Sequence, residues 1–177
     1  MAAEAARDAV ELERWHGRGV DLLDLILQSG PRSLLANGQP DGTGTSLDAR
    51  GASALLLALP LVALACESIP STLTIRGLAH CGALEPALRR TAGAERLAFA
   101  LIACDGTAVL RAEADRSEIG PGWSTDWASP LDVHLSVERG GGPFHAAHDV
   151  SASDGPLIML DAQKWQRLNQ HATRYLV

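Results

Sequence analysis

Six histidines and three cysteines are the residues with which this sequence could do distinctive chemistry, and they are unevenly spread. The densest group is His145, His148 and Asp149, with His134 on the segment before and Asp154 just after. Imidazole and carboxylate together suit Zn²⁺, Mn²⁺ or Fe²⁺. A turn through Gly140–Gly142 would carry His134 towards the pair. The spacing works against a ready-made site, however. On a strand, residues three apart point to opposite faces. The Gly-Gly-Gly-Pro ahead of the pair and the Ser-Ala-Ser-Asp-Gly beyond it disfavour a helix there. His134, His145 and His148 are therefore weak metal ligands, joined by Asp149 only if a β-bulge turns the strand. General acid–base work by the same histidines, in a hydrolase, is the enzymatic alternative. No resident metal or other cofactor is expected.

Cys81, next to His80, is the weak candidate for a catalytic thiol. Adjacent residues rarely place thiol and imidazole in contact, so a partner such as His134 would have to come from elsewhere. A small buried thiol at a strand exit is the simpler expectation. Cys66, inside an apolar run, and Cys104, beside a turn, read as structural. The odd count, the lack of a C-x-x-C pair and the lack of an apolar N-terminal signal predict three reduced thiols in a cytoplasmic protein. Gly42-Thr-Gly-Thr-Ser46 has the look of a phosphate cradle but lacks a lysine, Lys164 being the only one in the chain. Trp123 and Trp127 sit close together in a chain with only 4% aromatics. They are the candidate ligand-binding residues, able to line a pocket, anchor a partner or cap the edge of a core.

The elements that must position these groups can be read from periodicity. Residues 3–16 predict a helix with Ala6, Ala9/Val10 and Trp15 as its apolar stripe, ended by Gly17 and Gly19. A second helix carries Leu22, Leu23, Ile26 and Leu27 before Gly30-Pro31. Residues 37–51, rich in Gly, Asp, Thr and Ser, predict a loop. The run 54–67 is apolar all round and must be buried; with proline welcome only in a first turn, the helix is expected to start at Pro60. Residues 72–78 alternate as a strand, while 84–91 predict a helix turn or an irregular excursion. Two strands, 97–104 and 107–114, flank Asp105-Gly106, which suits a type I′ turn with both residues at positive φ. Leu131, Val133, Leu135 and Val137 face inward on a further strand, with His134 outward. A returning strand is expected over 144–150. A C-terminal helix should bear Trp165, Leu168, Ala172 and Tyr175. The whole predicts one α+β domain over 1–177, an antiparallel sheet with N-terminal, central and C-terminal helices packed on it.

The segment Glu4-Ala5-Ala6…Trp15…Arg18-Gly-Val-Asp-Leu-Leu23, the leucine-proline run Leu55–Ala63 followed by the β segment 72–76, and the ending Ala172–Val177 together resemble the bacterial proteins of unknown function grouped as DUF3726. The chain departs from that pattern in lacking a glycine-rich lead-in before residue 4 and the tail that would follow Val177. The likeness implies no reaction.

Composition bounds the rest. At 177 residues and 18.6 kDa, with 46% hydrophobic residues, the chain can bury a core without staples. A net charge of -6 with scattered arginines argues against nucleic acid or an anionic membrane as partner. The longest apolar run is too short to span a bilayer. A non-catalytic accessory or interaction subunit, as a homo-oligomer or with a partner protein, is the leading expectation. A small-molecule binding domain near Trp123/Trp127 and the hydrolase are its alternatives.

Overall fold

The structure is a computed structural model and describes residues 2–28, 39–40, 46–67, 71–113, 116–123, 129–139, 162–163 and 166. Helix α1 (Ala2–His16) buries Ala5, Ala9 and Leu12 along one stripe. That face is rotated from the expected one: Ala6 and Val10 are exposed, and Asp8 turns inward. The inward acid is tolerable because the Arg90 guanidinium bonds to it. Gly17, at φ 64°, closes α1 through its N–H to the Glu13 carbonyl. Gly19 instead opens α2 (Gly19–Gln28). A Cβ there would lie 1.7 Å from the Ala9 carbonyl oxygen, so only glycine lets the two helices approach.

Helix α3 (Ala54–Cys66) runs straight through Pro60 rather than starting at it. Pro60 removes one N–H bond and costs about 3 kcal/mol. Burying Leu55 and Leu61 returns about 1.5–3 kcal/mol each, which is enough to hold the helix. Leu56 and Pro60 are both half-buried, so the missing N–H falls on the open flank of the helix. Cys81–Leu84 form a 3-10 turn leading into α4 (Glu85–Glu95), a full helix with Pro86 in its first turn.

Among the described residues, seven strands form one sheet: β1 (Gln39–Pro40), β2 (Ser46–Asp48), β3 (Ser71–Leu78), β4 (Leu97–Ala103), β5 (Ala108–Ala112), β6 (Ser117–Ile119) and β7 (Leu131–Arg139). Their order is β1-β2-β3-β7-β4-β5-β6, antiparallel except for the parallel pair β2/β3 that α3 connects. The fold is thus an α+β domain with helices packed on a mostly antiparallel sheet. The expected loop 37–51 contains two short strands, because the edge of β3 supplies backbone partners that local composition cannot encode. Ala49 N–H and Gly51 N–H continue that pairing onto the Arg76 and Gly77 carbonyls. Strand β6 is likewise an addition.

The β4–β5 hairpin is present, but its turn is not type I′. Only Gly106 has positive φ, at 89°, and Asp105 does not. Gly106 N–H bonds the Ala103 carbonyl and Ala103 N–H bonds the Thr107 carbonyl, which makes a three-residue loop with a bulge. Asp105 Oδ1 accepts the Thr107 N–H at 2.8 Å; this bond favours a negative φ at Asp105 and holds its carboxyl below the usual range. The core lies between sheet and helices, where Phe99, Leu101, Val133, Leu135, Leu84 and Leu88 are almost wholly enclosed. The returning strand 144–150 lies outside the described residues. Of the C-terminal helix, only Ala162, Gln163 and Gln166 are described, helical and exposed.

Candidate functional site

β7 sits between β3 and β4, and its alternation turns His134 onto the sheet face opposite the core. Register places Thr74 and Ile102 on either side of it. His134 Nδ1 is 3.1 Å from Thr74 Oγ1, and Nε2 is 3.4 Å from Cys104 Sγ. Cys104 is exposed at the hairpin start, anchored by its N–H to the Asp132 carbonyl at 2.8 Å. The sequence separates these three residues, and the insertion of β7 between β3 and β4 brings them together. His145, His148, Asp149 and Asp154, the expected neighbours of His134, lie outside the described residues, as does Trp127. Among the described residues, no three His, Cys, Asp or Glu form a group able to hold a metal.

Cys81 is a core residue. Its thiol donates to the Leu78 carbonyl at 3.1 Å, and burial pushes it up to about 12, so it is protonated at any working pH. His80 adopts a left-handed conformation (φ 56°, ψ 44°) and its Nδ1 lies 2.9 Å from Ser53 Oγ. Burial lowers the pKa of this imidazole. The bond to His80 also explains why Ser53, at the N-cap of α3, makes no side-chain cap to the helix.

Trp123 packs half-buried against the core. A Cβ on Gly82 would meet its ring at 2.8 Å, and its centroid is 5.0 Å from that of His16. Beneath it lies a polar cluster that no sequence pattern announced. Glu85, wholly buried, accepts from Ser117 Oγ and lies 2.7 Å from His16 Nε2. Arg89 NH1 stands 3.9 Å from the same carboxylate, with its guanidinium 4.3 Å above the Trp15 ring. The cluster ties α1, α4 and β6 to one carboxylate.

A cleft of about 660 Å³ opens where the C-terminal ends of α3 and α4 meet β4 and β7. Leu59, Val62, Ala63 and Leu97 form its apolar wall, with Arg96 and Arg139 as its cations and Glu95 as an acid. Cys66 lies within it, its thiol pKa raised by burial and then by Glu95. On the cleft wall α3 exposes Leu59 by 53%, and outside the cleft it exposes Leu64 by 41%. No helix among the described residues is long and apolar enough to cross a membrane. The chain matches no protein-family model, no curated protein and no solved structure.

Proposed function

We propose that this chain is a non-catalytic accessory subunit that works by docking, with the outer flank of α3 as its surface and a second copy of the chain as occupant. The observation that carries this reading is the two-sided apolar character of α3. Ala54, Leu55, Ala58, Leu61, Val62 and Ala65 face the core, yet Leu59, Ala63 and Leu64 face outward. A helix apolar on every side is normally covered on every side. Covering what remains exposed of each leucine is worth about 1 kcal/mol. Sedimentation across a concentration series tests the reading. Wild type should self-associate, and Leu59→Asp with Leu64→Asp should be monomeric with an unchanged circular dichroism spectrum. A wild-type chain that stays monomeric throughout would remove it.

The cleft favours a second reading, a domain that binds a small molecule. Arg96 and Arg139 beside an apolar wall suit an amphipathic anion. On this reading the ligand would bind away from Trp123, whose ring packs against Gly82 and His16. Three free thiols support a reducing compartment such as the cytoplasm. The likeness to DUF3726 remains part of the proposal and supplies no activity of its own.

A further inference from the structure

We infer that Cys104 is a base-assisted reactive thiol, a site of reversible thiolation by cationic or neutral low-molecular-weight disulfides. Three residues from neighbouring strands form a chain of nucleophile, base and orienting group: Cys104 Sγ to His134 Nε2 at 3.4 Å, and His134 Nδ1 to Thr74 Oγ1 at 3.1 Å. With Nδ1–H donated to the threonine oxygen, Nε2 presents its lone pair to the Cys104 S–H. The pair sits on an open face: Cys104 is exposed, His134 half-buried and neighbouring Ile102 36% exposed. The other two thiols contrast with it. Cys81 is buried and pushed up to about 12, and Cys66 is half-buried with its pKa raised.

The step balances without a further oxidant. The Cys104 proton passes to His134 Nε2 and the thiolate attacks one sulfur of R–S–S–R. A new S–S bond forms as the old one breaks, and the departing thiolate takes the proton from the imidazolium, leaving one R–SH. Charge narrows the reagent class. Asp105 adjoins Cys104 in the turn, and Asp132 shares the outward face of β7 with His134. Both are carboxylates and, set against Arg76 on the outward face of β3, they disfavour an anionic disulfide.

Cystamine is the probe, with oxidised glutathione as its anionic counterpart. Native protein treated at neutral pH should gain one cystamine adduct, mapped to Cys104 by peptide mass spectrometry and removed by dithiothreitol. His134→Gln should slow it at least about fivefold, and Thr74→Val should slow it less, because the base remains but loses its orientation. If His134→Gln melts early, Thr74→Val carries the comparison. Iodoacetamide should show the same ranking of variants. Equal rates in wild type and in the folded variants, or first modification at Cys66, would overturn the site. Glutathione disulfide reacting as fast as cystamine would overturn its charge preference.

Discussion

His80 shows how much a single residue can depend on distant chain. Its imidazole is half-buried with Nδ1 against Ser53, and burial holds its pKa below the usual value. An unfolded chain takes up the proton near pH 6.5, and the folded chain only at lower pH. The stability linked to His80 is therefore present above about pH 6.5 and lost as pH falls through the folded value. Thermal midpoints should fall as buffers are taken from about pH 7.5 to about pH 5.5. His80→Asn, which tolerates the left-handed backbone, should flatten that decline; parallel declines in both proteins would refute the assignment. The sequence marked His80 only as the neighbour of Cys81. Ser53 is 27 positions away, and nothing local betrays their bond. His134 was legible as an outward residue of a strand, whereas its partner Cys104 was not, because side-chain alternation sets a face but not a neighbouring strand.

At the scale of elements, the strongest periodicities were reliable and the punctuation was not. β7 alternates as its sequence demands, and the hairpin around Asp105-Gly106 forms where its turn residues place it. The turn type differs because Asp105 bonds the Thr107 N–H. Strands β1, β2 and β6 are too short and polar to signal themselves and exist through edge pairing alone. Pro60 was the opposite case, a clear local signal overridden by burial of the helix around it. Replacing it tests that balance. Pro60→Ala restores an N–H to a continuous helix and gives up the proline's restriction of the unfolded chain, which is worth about 1 kcal/mol. A net gain of about 1–2 kcal/mol in urea unfolding is expected. A loss would mean that the helix needs its proline.

For the molecule as a whole, Glu85 is the polar pivot, bonding His16 and Ser117 and neighbouring Arg89 from inside the core. Removing a partner from a buried ionic cluster costs about 3–5 kcal/mol, since the groups left behind stay desolvated. Glu85→Ala should lose about 3 kcal/mol in chemical denaturation and shift the tryptophan fluorescence of Trp15 and Trp123. A loss below about 1 kcal/mol would show that α1 is held by apolar contact alone. The order β3-β7-β4 has another consequence, for the timing of folding. The chain makes β3 and β4 well before β7, yet neither pairs with the other; each waits for residues 131–139. During synthesis, the edges of β3 and β4 that β7 fills must stay without it until residues 131–139 clear the ribosome. Folding of the central sheet is thus a late, long-range closure, and the nascent chain is most open to wrong strand pairing just before it.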